Sequence, residues 1–119
     1  MTFTAREQQA VTSEFRSLSV ADAGIIDEIR GFHAATGYVL DPHTAVGVRA
    51  GRTLADADVP MICLATAHPA KFPDAVCAAI GRNPDRPASL NGLEERPRRC
   101  ETIDAEIAAV KGFVERHAL

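Results

Sequence analysis

The run Met61-Ile62-Cys63-Leu64-Ala65, set directly behind Pro60, restricts the fold more than any other feature. No polar residue interrupts it, so neither of its faces suits water. Such a run reads as a strand buried on both sides, as in the middle of a parallel sheet. A central strand needs a neighbour at each edge to take up its amides and carbonyls. The rest of the chain offers little for that purpose. Tyr38-Val39-Leu40 is extended over a short stretch, and 98–103 is extended but polar. The expectation is therefore α/β material, helix-rich, whose open parallel sheet is short of strands, with residues 1–119 forming a single, incomplete region.

Helical spacing dominates elsewhere. Residues 5–15 form a loosely patterned helix. A clearer one opens at Ser19-Val20-Ala21-Asp22, where a hydroxyl and a carboxylate suit the free amides of a first turn. It runs through Ile25, Ile26, Ile29 and Phe32 and stops at Gly37. Asp41-Pro42 puts an acceptor side chain ahead of a proline at the first helical position, which predicts a helix over 42–55. Val46, Val48 and Leu54 lie there among alanines and glycines and imply close packing. Thr66-Ala67-His68-Pro69 breaks the strand sharply, and a helix resumes near Pro69 or Pro73 and reaches Ile80. Residues 83–87 are a loop, and 90–95 a helical turn. The closing helix, 104–117, carries Ile107, Val110, Phe113 and Val114 on one face.

Composition excludes more than it selects. The 119 residues are 46% apolar and 24% charged, the balance of an ordinary globular domain. A net charge of −3 gives no bulk attraction to nucleic acid or to an anionic membrane. No apolar run approaches the roughly 20 residues of a membrane span, and the first residues lack the pattern of a signal peptide. The expected location is the cytoplasm. Cys63, Cys77 and Cys100 are too few and too far apart for a disulfide framework, and their spacing with His68 fits no zinc pattern. Reduced thiols, buried or half-buried, are expected, and no metal. Arg82, Arg86, Arg96, Arg98 and Arg99 are basic without interleaved aromatics, which suits a solvated surface or an intersubunit contact better than RNA.

Two segments can carry chemistry: Gly37-Tyr38-Val39-Leu40-Asp41-Pro42-His43-Thr44-Ala45-Val46-Gly47 and Leu64-Ala65-Thr66-Ala67-His68-Pro69-Ala70-Lys71-Phe72. Each sets polar residues just beyond an extended apolar stretch, where open α/β sheets bind ligands. Each also runs into a helix N-terminus, whose free amides favour an anion. Asp41 reads as a helix cap or as a catalyst, Thr66 as a turn cap or a ligand contact, and Thr44 as pocket lining or packing. His43 and His68 read as hydrogen-bonded structural residues or as contacts to an anionic substrate.

Asp-Pro-His-Thr-Ala and Thr-Ala-His-Pro-Ala-Lys-Phe resemble two signature stretches of threonine synthase, and the similarity extends from about Phe15 to the last helix. The resemblance implies the fold of enzymes that use pyridoxal 5'-phosphate (PLP), shared with the tryptophan synthase β-chain. The implied activity is a lyase reaction of threonine biosynthesis: O-phospho-L-homoserine and water give L-threonine and phosphate. Thr66 matches the residue whose hydroxyl meets the pyridine nitrogen of PLP. His43, Thr44, His68 and Lys71 become substrate-side candidates. The family's Schiff-base lysine lies in a separate motif that is absent here; Lys71 and Lys111 match no such motif. The glycine-rich phosphate cradle is missing as well. The resemblance therefore implies a C-terminal section forming one wall of the PLP pocket. That section is inactive alone, needs the rest of the synthase chain as partner, and is prone to self-association. The alternative is a non-catalytic α/β binding module derived from the same fold.

Overall fold

The computed structural model describes residues 3–118. The chain divides into two compact units, Met1–Ala88 and Ser89–Leu119.

In the first unit, α1 (Ala5–Glu14) opens with a capping box. The Thr4 hydroxyl accepts from the Glu7 amide at 3.3 Å, and the Glu7 carboxylate accepts from the Thr4 amide at 2.8 Å. Two free amides are thereby satisfied. α2 (Asp22–Thr36) closes on Gly37 at φ 74°, a left-handed cap that suits glycine. Its opening differs from expectation. The N-cap is Ala21, no side chain bonds the first turn, and Ser19 lies outside it. α3 (Pro42–Leu54) begins where the sequence indicates, with Asp41 as cap. A 3-10 turn, Pro69–Lys71, leads into α4 (Pro73–Ile80), which ends on Gly81.

α2 packs against both α3 and α4. Ile29, Leu40, Ala45, Val48 and Ala79 are buried together, with Ile25, Ile26, Phe32 and Ile80 half-buried around them. Full burial of a side chain the size of Ile29 is worth about 1.5–3 kcal/mol. Polar contacts reinforce both seams. Glu28 of α2, 3% exposed, accepts from Arg52 at 2.7 Å and lies 3.5 Å from Arg49, both on α3. Arg30 donates to the terminal carbonyls of α4, Ala79 at 3.1 Å and Ala78 at 3.3 Å, groups that a helix leaves without internal partners.

The expected central strand is not formed. Residues 61–65 have no regular secondary structure, and no strand is present among the described residues. Ile62 is 81% and Leu64 77% exposed. A strand exists only through its ladder, and Tyr38-Val39-Leu40 forms none with this segment. The fold is thus helix-rich, and the α/β reading is corrected to that extent. The segment does lie on α3. Cys63 Sγ is 3.7 Å from the Gly47 carbonyl oxygen. A Cβ on Gly51 would stand 2.9 Å from Cys63 Sγ and 3.1 Å from Met61 Cγ, so the close approach depends on the absent side chain. The cysteines are free thiols, but all three are exposed, which corrects the expected burial.

The second unit holds α5 (Ile107–His117), which starts later than the predicted 104. Its apolar face is not buried: Ile107, Val110 and Val114 are exposed. Phe113 stacks on His117 with ring centroids 4.3 Å apart. Among the described residues, no helix is long and apolar enough to cross a membrane.

Candidate functional site

The site grows from the N-terminus of α3. Pro42 has no amide hydrogen to satisfy, so the cap must serve the next amides. Asp41, fully buried, does so: Oδ1 accepts from the His43 amide at 2.9 Å and the Thr44 amide at 3.4 Å. Oδ1 also lies 3.2 Å from His43 Nδ1, and Oδ2 accepts a short hydrogen bond from the Thr44 hydroxyl. Burial pushes the Asp41 carboxyl up. The Thr44 hydroxyl, the two amides and the His43 ring together outweigh that and hold it below its ordinary value.

The ionised carboxylate accepts and never donates, so His43 Nδ1 carries the hydrogen facing it and Nε2 is left for other partners. The His43 ring rests against Phe72, the residue that opens α4, at 4.9 Å between centroids. Lys71 Nζ lies 5.9 Å from the same Phe72 ring.

Thr44 is where the two motifs meet. Its hydroxyl hydrogen goes to Asp41, and its oxygen accepts the Thr66 amide at 3.1 Å. Thr44 and Ala65 also line an apolar groove of about 660 Å³, together with Tyr38, Leu40, Val48 and Cys63. Thr66 itself is exposed, directly after Ala65.

The structure therefore brings together His43, Thr44 and Thr66 around Asp41, with Lys71 beyond Phe72. His68 is engaged elsewhere: its Nδ1 accepts the Ala70 amide at 3.1 Å and caps the 3-10 turn. Asp41 is the helix cap that its position before proline indicates. Phe72 and Glu28 are not foreseen. Phe72 stands within the second motif, where an aromatic beside Lys71 was the available signal. Glu28 is a carboxylate set among isoleucines, a weak sign of burial without knowledge of Arg49 and Arg52. Among the described residues, no three His, Cys, Asp or Glu side chains gather as a metal site.

The family described as "Threonine synthase, C-terminal" matches residues 44–114. The threonine synthase of Pseudomonas aeruginosa is 47% identical over 105 residues, which cover 87% of this chain and 22% of that protein. The threonine synthase of Methylobacillus glycogenes is 41% identical over 103 residues, with 87% and 22% covered. The crystal structure of a PLP-bound threonine synthase from Brucella melitensis matches with a TM-score of 0.74 and 38% identity, over 99% of this chain and 25% of that one. The chain thus spans about a fifth of the length of these curated relatives.

Proposed function

The chain belongs to the threonine synthase family, and from that membership we propose that it forms one wall of a PLP pocket in an enzyme converting O-phospho-L-homoserine and water to L-threonine and phosphate. The observation that carries this reading is the Thr66 amide bonded to the Thr44 hydroxyl at 3.1 Å, which joins the two motifs at one point. Residues 1–119 act here as one incomplete region, completed by the rest of a synthase chain.

The donor set suits the cofactor. Thr66 offers an exposed alcohol next to Ala65, which lines an apolar groove. An alcohol does not hold a proton on a pyridine nitrogen as a carboxylate does, so the ring is left a moderate electron sink. When bound, PLP supplies that sink for loss of phosphate from Cγ and addition of water at Cβ. The residues of this chain bind and orient. Thr66 meets the ring nitrogen through its hydroxyl. His43, held at Nδ1 by Asp41, leaves Nε2 as an acceptor on the substrate side, where a hydroxyl of the substrate can donate to it. Lys71 adds positive charge nearby. Neither Lys71 nor Lys111 is assigned the Schiff base, and the chain alone is expected to be inactive.

Phosphate release from O-phosphohomoserine tests the reading. With PLP added, the 119-residue chain gives no turnover, whereas the complete enzyme does. In that enzyme Thr66→Ala lowers kcat by about tenfold or more, a loss of about 1.4 kcal/mol in barrier terms, with the melting temperature nearly unchanged. A normal kcat beside a lowered melting temperature removes Thr66 from the site.

A further inference from the structure

We infer that Thr44 is a positioning residue for Thr66, held in one orientation by the buried Asp41 carboxylate, so that a side chain on α3 sets where the Thr66 hydroxyl stands. The inference rests on the proposed placement of Thr66 at the ring nitrogen and adds what holds it there.

The segment 61–66 has no strand ladder among the described residues. Its side chains at Ile62 and Leu64 face outward. Two polar contacts fasten it to α3: the long Cys63 thiol contact to the Gly47 carbonyl, and the Thr66 amide to Thr44 Oγ1. Only the second lies at the functional end. A thiol at 3.7 Å is a weak anchor, so the Thr44 bond fixes the backbone from which the Thr66 hydroxyl projects.

The hydroxyl at Thr44 is also constrained in polarity. It has a single hydrogen, and Asp41 Oδ2 takes it. The oxygen lone pairs are then presented to the Thr66 amide, which needs an acceptor. A carboxylate cannot donate, so the hydroxyl cannot turn round while Asp41 is ionised. The carboxylate is itself fixed by the two amides of the first turn. The relay therefore runs from a rigid helix N-terminus, through a hydroxyl with one orientation, to the backbone of Thr66. A residue at 44 must both donate and accept. Serine satisfies this; valine, nearly the same shape, does neither.

The test compares Thr44→Val, Thr44→Ser and Thr66→Val in the complete cofactor-loaded enzyme, and reads the visible absorbance band of bound PLP and the Kd for PLP. Thr66→Val should shift the band and raise the Kd. Thr44→Val should shift the band in the same direction and raise the Kd on the order of tenfold, the effect of losing one fixed hydrogen bond. Thr44→Ser should restore both. If Thr66→Val shifts the band and Thr44→Val leaves it unmoved, the positioning role is wrong and the placement of Thr66 stands. If Thr66→Val moves neither quantity, the placement itself fails and takes the inference with it. Hydrogen exchange on the unaltered enzyme keeps the test decisive where Thr44→Val does not fold. The Thr66 amide must be protected, and exchange at the rate of a free amide overturns the inference.

Discussion

At the scale of the residue, Asp41 shows how one carboxylate acquires several duties. Its two oxygens receive two amides, a hydroxyl and an imidazole nitrogen. Burial opposes the charge, and these donors overcome it, so the folded pKa lies below the ordinary aspartate value of about 3.9. Asp41 therefore adds stability that is fully present above that value and is lost as pH falls through the lower, folded one. Asp41→Asn should cost about 1.5–3 kcal/mol at neutral pH, the worth of a hydrogen bond to a charged group, because an amide still caps the helix through its oxygen but cannot accept the Thr44 hydroxyl at its other end. It should also flatten the acid limb below about pH 4. Urea melts of both proteins across that range check this. A parallel acid limb in the variant assigns the acid sensitivity to other groups.

At the scale of the element, α2 and α3 are joined by a salt bridge with one buried side. Glu28 is almost fully buried, whereas the Arg49 and Arg52 side chains are about half exposed. The two ways of breaking it should differ. Glu28→Gln releases arginines that reach water, at a cost of about 1–2 kcal/mol. Replacing both Arg49 and Arg52 with methionine strands a buried charge, at about 3–5 kcal/mol. Equal losses in chemical denaturation would argue that the Glu28 site is wetter than its exposure indicates. Elements also mark how far the sequence could be read. Asp41-Pro42 and Gly37 place a helix start and a helix stop correctly because each acts within a single turn. The five-residue apolar run reads as a strand buried on both faces and forms none here, since a strand depends on partners distant in sequence. Ser19 fits a capping pattern, yet α2 begins after it, at Asp22. The relay through Thr44 was not legible, because it joins positions 44 and 66 through a bend that local pattern does not describe.

At the scale of the whole molecule, apolar surface remains uncovered. Met61, Ile62 and Leu64 of the first unit are exposed, and so are Ile107 and Val114 of the second. Each such side chain forgoes up to about 1.5–3 kcal/mol of burial, large beside a domain's margin of about 5–15 kcal/mol. The isolated chain should therefore self-associate, and Ile62→Thr with Leu64→Thr should reduce the association. Sedimentation over a range of concentrations decides this, and a monomer at every concentration would defeat the expectation. The central place of α2 has a different consequence, one for genetics. It packs on both α3, which carries His43 and Thr44, and α4, whose N-cap is Phe72. A search for lost function would score changes at the buried Ile29 beside changes at Thr66, although Ile29 belongs to the core. The two classes would look alike as phenotypes and would separate only by how much folded protein each allele leaves in the cell.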